Sequence, residues 1–327
     1  MTNSKKVALT GIKPTGIPHL GNFFGAIAPA LEATQKQDEQ GIYFVANLHA
    51  LTSTIEPALL KKHTYEVAAT WLALGLNPEE TIFFRQSDIL ELTAIYWILC
   101  CETQQGLLDR AHAYKAAKDK GQMINAGVYT YPVLMAADIL AFHASVVPIG
   151  EDQKQHVEYA RDIAQRFNHT YGSVLTIPEP RISQEVAVVV GTDGRKMSKS
   201  YQNTIPIFAS DATLKKAVFS IQTDSTPLES PKDPNANSIY KLYQLLTQKE
   251  QAQTLHQKIS TGHFGWGDAK KELLAATIAK FKEQRLLFES LMNNTEEIEK
   301  IFAFGALRAQ KIARQTLQAL QSARGIA

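Results

Sequence analysis

Over residues 1–203, short and nearly all-apolar runs alternate with helix-like stretches, and few architectures accept that order. Val7–Thr10 stops at Gly11, and Pro18–Lys36 then reads as a helix. Ile42–Ala46, Thr81–Phe84 and Ser145–Ile149 are further strand-like runs. Helical stretches separate or follow them over Pro57–Leu76, Leu90–Glu102, Ala126–Phe142 and Asp152–Phe167. Strands without polar alternation must be covered on both faces, which the β-α-β order achieves with a parallel sheet. Past residue 204 the strands stop. Leu214–Ile221, Ile239–Leu246, Glu250–Ile259, Ala269–Met292 and Glu296–Arg324 all carry helical periodicity, and Thr223–Asn237 is a loop rich in Pro, Ser and Asp. The expected fold class is therefore α/β, a Rossmann-like parallel-sheet domain over residues 1–192. A basic loop over 193–203 leads to an all-helical domain over 204–327, whose last helix is free to pack back on the first domain.

Bulk properties exclude several classes. The 327 residues are 45% hydrophobic and 20% charged, ordinary for a globular protein. No eighteen-residue apolar window is present, so no membrane partner is expected. Met1–Lys6 leads into the short run Val7–Leu9 and not into a signal-peptide core, which makes a cytoplasmic location the expectation. Cys100 and Cys101 are adjacent, which disfavours a disulfide and offers no thiol metal site; no protein-held metal is expected. The net charge of +2 is uneven: residues 204–327 carry 16 basic and 12 acidic side chains, a surplus suited to a phosphate backbone but common on helical surfaces.

Two segments suit phosphate. Gly11-Ile12-Lys13-Pro14-Thr15-Gly16-Ile17-Pro18-His19-Leu20-Gly21-Asn22 runs from the first strand into a helix. Its glycines permit tight turns, Pro18 suits a helix start, and free N–H groups there favour an anion. His19 can donate to a phosphoryl oxygen, and Gly21 leaves room for something flat against the backbone. A merely capped, glycine-rich helix entry explains the glycines equally well. The second segment, Asp193-Gly194-Arg195-Lys196-Met197-Ser198-Lys199-Ser200, is a mobile cationic loop by composition, able to neutralise charge on departing pyrophosphate; a solvated basic loop is the plainer alternative.

Lys196-Met197-Ser198-Lys199-Ser200 matches, letter for letter, the KMSKS signature of class I aminoacyl-tRNA synthetases, and Pro18-His19-Leu20-Gly21-Asn22 resembles their HIGH signature ending in Asn. The resemblance implies that His19, Asn22, Lys196 and Lys199 are catalytic. It also implies that Lys13, Pro14, Thr15, Gly21, Met197, Ser198 and Ser200 join the ATP site, with ATP entering as its Mg2+ complex. A nicotinamide-binding domain would want G-x-G-x-x-G after its first strand, which this chain lacks.

Tyr131, Met135, Asp138 and Phe142 recur at one face of a helix. An Asp in that stripe is costly to bury without a partner. Indole N–H is a donor only, so a tryptophan pocket needs a placed acceptor between apolar walls, and Asp138 beside the adaptable Met135 supplies both. A structural Asp bonded to backbone or Arg remains open from the residues alone. Gly150-Glu151-Asp152-Gln153-Lys154-Gln155-His156 follows at a strand end, where Gly150 admits a ribose, Glu151 or Asp152 can accept from its hydroxyls, and Gln153 can bind the substrate's ammonium or carboxylate.

These two runs, and the order of all motifs, resemble bacterial tryptophanyl-tRNA synthetases over nearly the whole chain. The resemblance implies indole recognition by Asp138, ATP contacts from Gly150, Glu151, Asp152, Lys115 and the Val189 backbone, and pocket contacts from His49, Tyr131, Met135 and Gln153. It further implies two-step charging of tRNA(Trp) with L-tryptophan, anticodon reading by the helical domain, and a homodimer. Departures are Lys13, where many such enzymes have Gln, His19, where they often have Thr, and a shorter, more β-branched strand over Glu185–Thr192. The rivals are a tyrosyl-tRNA synthetase and a non-catalytic paralogue that binds RNA.

Overall fold

The computed structural model of the chain describes residues 5–35, 39–53, 55–119, 124–150, 154–182 and 189–327. Five strands, β1 (Lys6–Ile12), β2 (Glu39–Val45), β3 (Ile82–Arg85), β4 (Val146–Ile149) and β5 (Glu179–Ile182), pair in parallel in the order β3-β2-β1-β4-β5. The chain winds outward in both directions from β1, so the carboxyl ends of β1 and β4 open a crevice at the point where strand order reverses.

The first four strands fall where apolar runs predict them. β5 was not expected: Glu179-Pro180-Arg181-Ile182 carries a proline and no apolar run. A proline is tolerated there because β5 is an edge strand. Pro148 is accommodated for a related reason, since β4 pairs with β1 at Ala8–Val146 and has left it by residue 148. Of the strand expected over Glu185–Thr192, residues 185–188 lie outside the described residues, and Val190 forms an isolated bridge to Lys196.

The helix expected over Pro18–Lys36 is three pieces: Leu20–Asn22, a π-helical turn Phe23–Ile27, and Ala28–Gln35. The wide turn precedes Pro29, whose missing N–H a regular ladder would need. The long helix expected over Ala269–Met292 is likewise two, Trp266–Lys280 and Lys282–Asn293. Phe281 interrupts it, turning into a buried aromatic group with Phe23 and Phe208 at ring separations of 5.0 and 6.2 Å.

The chain divides into two compact units. The first comprises residues 1–16, 29–183 and 294–327, the second residues 17–28 and 184–293. Relative to boundaries at residues 192 and 204, residues 17–28 and 184–192 fall in the second unit. The terminal helix Thr295–Arg324 packs back on the first unit, against β3 and the helix Glu91–Glu102. A Cβ on Gly305 would stand 1.8 Å from the Phe83 carbonyl oxygen, so only glycine lets the helix approach β3 this closely. Arg308 donates to the carbonyls of Pro78 and Thr81, Gln310 to that of Asp88, and Thr316 to that of Ala141. The Arg85 guanidinium pairs with Glu299 at 2.9 Å.

In the first unit's core, the rings of Phe44, Phe84 and Phe142 contact in sequence at 5.6 and 5.4 Å, linking β2, β3 and the end of helix Ala126–Ala141. In the second unit, residues 17–28 are fastened to residues 205–207: Leu20 N–H donates to the Ile205 carbonyl at 2.9 Å and Ile207 N–H to that of Pro18 at 3.1 Å. The remainder of that unit is helical, from Asp211–Phe219 to Lys282–Asn293. Among the described residues no helix is long and apolar enough to cross a membrane.

Candidate active site

In the second unit, His19 caps the helical segment that follows it. Its Nδ1 accepts from the Asn22 N–H at 3.3 Å, while its own N–H donates to Asn22 Oδ1 at 3.1 Å. Both bonds together form a capping box. Because Nδ1 is the acceptor, the neutral ring carries its proton on Nε2. Burial, and secondarily the Lys199 ammonium, push the His19 pKa down to about 4. Near neutral pH His19 is therefore an uncharged N–H donor beside a cation, suited to a phosphoryl oxygen.

Gly21 has a different task from the one the sequence offers. A Cβ there would lie 2.9 Å from two atoms of the His19 ring and 3.3 Å from Met197 Cβ. The room it leaves is filled by this chain's own imidazole and thioether.

Asn203 does most to tie down the cationic loop, in contrast to the mobile loop its composition suggests. Asn203, fully buried, accepts from Ser198 N–H at 2.8 Å and donates to the Lys196 carbonyl at 3.0 Å and to Asp193 Oδ1 at 2.7 Å. The Asn203 bond, supported by Arg195, pulls the Asp193 pKa down to about 2. Val189, also buried, spends its carbonyl on Met197 N–H at 2.8 Å, so that atom serves as a loop anchor. Ser198 caps the turn Lys199–Tyr201 by accepting from Ser200 N–H. Lys196 is exposed and Lys199 half-buried. Met197 is buried and its sulfur accepts from Gly21 N–H at 3.4 Å, which joins the first phosphate segment to the second.

In the first unit, Asp138 is 2% exposed on the helix Ala126–Ala141, whose start is capped by Asn125. Its Oδ2 lies 2.9 Å from His49 Nε2, and Gln86 Nε2 donates to both carboxylate oxygens at 2.9 Å. Its partners are thus side chains from the carboxyl ends of β2 and β3, where a parallel sheet presents its ligand site. These bonds leave acceptor capacity on a carboxylate with about four lone-pair sites. Tyr131 lies edge-on to His49 at 6.0 Å and is bonded to His156 through its hydroxyl. Burial raises the Tyr131 pKa, so it stays a phenol. Met135 is half-buried against the apolar core.

The other expected residues are more scattered. Lys13 donates to Thr52 Oγ1 at 3.2 Å, its pKa lowered by burial, and Thr52 in turn donates to the His49 carbonyl. Pro14 is buried, Thr15 is exposed, and Thr15 N–H donates to the Lys13 carbonyl. Lys115 is exposed on the helix His112–Asp119, and Gly150 is exposed at the end of β4. Glu151, Asp152 and Gln153 lie outside the described residues.

Sequence reasoning missed Gln86 and Asn203. Gln86 had a readable signal, a polar residue immediately after an apolar strand, at the end where ligands bind. Asn203 had none, since its role depends on Gly191, where a Cβ would meet the Asn203 amide at 2.2 Å.

The family model for tRNA synthetases class I (W and Y) matches residues 1–282. The tryptophan–tRNA ligase of Campylobacter jejuni is 46% identical over 318 residues, covering 97% of this chain and 99% of the relative. That of Neisseria meningitidis is 45% identical over 332 residues, covering 99% and 98%. The crystal structure of tryptophanyl-tRNA synthetase from Campylobacter jejuni complexed with ADP and tryptophan matches with a TM-score of 0.93 at 45% identity, covering 98% of this chain and 99% of that one.

Proposed function

The chain belongs to the class I tRNA synthetases of the W and Y family, and from that membership we propose that it charges tRNA(Trp) with L-tryptophan. The tryptophan carboxylate attacks the α-phosphorus of ATP; a carboxyl-oxygen–phosphorus bond forms and the bond to the β-phosphate breaks, releasing pyrophosphate. The 2′-hydroxyl of the terminal adenosine then attacks the tryptophanyl-adenylate carbonyl, losing its proton as AMP leaves. No protein nucleophile is required, because positioning and charge neutralisation carry phosphoryl chemistry of this kind.

The contact from Gly21 N–H to Met197 Sδ carries the reading. It brings a neutral His19 donor and the Lys196–Lys199 pair to one place, the combination that a pentavalent phosphate and a departing pyrophosphate need. The Asn22 backbone N–H holds the His19 ring, and Ser198 and Ser200 shape the loop. This donor set suits phosphate oxygens and not a metal, so Mg2+ would be held by the triphosphate and water, where it shares the charge. Lys13, Pro14, Thr15, Lys115, Gly150, Glu151, Asp152 and Val189 complete the ATP site in this reading. Asp138 accepts from the indole N–H, with Tyr131, Met135, His49 and Gln153 around the amino acid.

The helices between Asp211 and Asn293 would meet the anticodon. A homodimer is supported by Leu90 and Trp97, large apolar side chains 74% and 67% exposed on or beside the helix Glu91–Glu102. ATP and tRNA as substrates make the cytoplasm its site of action.

Pyrophosphate–ATP exchange tests the proposal. Exchange dependent on tryptophan, followed by acylation of tRNA(Trp), is expected. Exchange with tyrosine in its place, or none at all, would overturn it. Asp138→Ala should raise the tryptophan KM about ten- to a hundredfold while leaving that for ATP nearly unchanged.

A further inference from the structure

Gln86 stands at the first position past β3 with no exposed surface and no part in the scheme above. Its Oε1 accepts from the backbone N–H groups of Leu48 at 3.0 Å and His49 at 3.4 Å. Backbone N–H groups only donate, so the oxygen must face them and the amide has a single allowed orientation. Its NH2 is thereby turned on Asp138, 2.9 Å from each oxygen. The turn that holds the amide is fixed in its own right: Asn47 Nδ2 donates to Ser87 Oγ at 2.8 Å, and Ser87 N–H donates to Asn47 Oδ1 at 3.0 Å.

We infer that Gln86 is a positioning residue for tryptophan specificity, an orientation-locked amide that aims the Asp138 carboxylate at the indole N–H. This rests on the reading of Asp138 as the acceptor for that N–H. An amide at this point can only donate to the carboxylate, so it keeps both oxygens acceptors and fixes the plane in which their remaining lone pairs lie. A ring without an N–H leaves that aimed acceptor unpaired and is rejected, the asymmetry by which a site built for a hydrogen bond excludes an analogue lacking it. A purely structural Gln86, stapling the turn after β2 to β3, would have no bearing on that choice.

Two variants separate these roles. Gln86→Met removes both sets of bonds at similar length. Gln86→Glu keeps an acceptor for Leu48 and His49 but sets a second carboxyl against Asp138, so the pair shares a proton and Asp138 no longer stays a pure acceptor. Each is assayed by pyrophosphate exchange with tryptophan and with the analogue carrying sulfur in place of the indole N–H, alongside the KM for ATP. Both variants are expected to lower kcat/KM for tryptophan about ten- to a hundredfold, as loss of a hydrogen bond to a buried charge does. The sulfur analogue and the ATP KM should change little, so the preference for tryptophan shrinks. An equal loss with both amino acids, or Gln86→Glu retaining the full preference, would overturn the inference and leave Gln86 structural. Asp138→Asn distinguishes the premise: if its preference for tryptophan over the sulfur analogue equals that of the unaltered enzyme, the indole reading itself fails and the inference with it.

Discussion

The backbone N–H of Gly21 points at the sulfur of Met197, 3.4 Å away and 176 residues later in the chain. Met197 is the one apolar side chain within a run of cations and hydroxyls, and it is 4% exposed. Burying it against the glycine leaves the residues on either side, Lys196 and Ser198, at the surface of the same spot. A hydrophobic anchor between two ammonium groups thus sets where their charge is delivered.

Gly21→Ala places a methyl 2.9 Å from the His19 ring. The ring must move, and a displacement of about 1 Å in a positioning group costs on the order of a hundredfold in rate. Pyrophosphate exchange should fall by that amount with the tryptophan KM nearly unchanged. Full activity would mean that the ring position is immaterial.

The depressed His19 pKa makes folding pH-dependent in a defined window. In the unfolded chain this histidine takes up a proton near the ordinary histidine value of 6.5; folded, it refuses one until about 4. Between those values the unfolded state binds more protons, so stability falls as pH falls, by about 2 kcal/mol at pH 5. Urea unfolding at pH 7.5 and pH 5 should show this loss in the native protein and a smaller one in His19→Gln. Equal losses would place the proton uptake elsewhere.

Asn203→Ala removes three bonds that close the lysine loop. A fall in kcat of about tenfold is expected, the size of one buried hydrogen bond, together with faster tryptic cleavage after Arg195, Lys196 or Lys199. Unchanged cleavage would show that other contacts hold the loop.

Gly305→Ala would drive a methyl into the Phe83 carbonyl at 1.8 Å. Backbone cannot yield as a flexible side chain does, so a destabilisation of about 3 kcal/mol or more is expected. A lowered melting temperature measured by circular dichroism checks it, and a native-like melting temperature would contradict the close packing of this helix on β3.

The parallel sheet was legible because its inner strands are nearly pure apolar runs, and the two segments that meet at Gly21 and Met197 stood out because glycine, histidine and paired lysines are few and distinctive. What stayed hidden depends on chain segments meeting in space. β5 has a proline, Pro180, where a strand signal should be, acceptable only at an edge. Phe281 continues a helical period in sequence, yet its ring is drawn into an aromatic group that ends the helix. The terminal helix carries an ordinary amphipathic pattern, and only the clearance at Gly305 shows which surface receives it. Asp138 stood out as an acid within an apolar stripe, whereas the glutamine that donates to it lies just past β3, 52 residues earlier.

Docking of Thr295–Arg324 on β3 gives the first unit a discontinuous order of assembly. On the ribosome, strands and crossover helices up to residue 183 emerge early, yet β3 waits for this helix while residues 184–293 are synthesised. Phe83 therefore lacks its cover by Phe302 and Gly305 until the end of the chain has been made. Completion of that unit is the last step of its folding, possible only once residues 295–324 have been made.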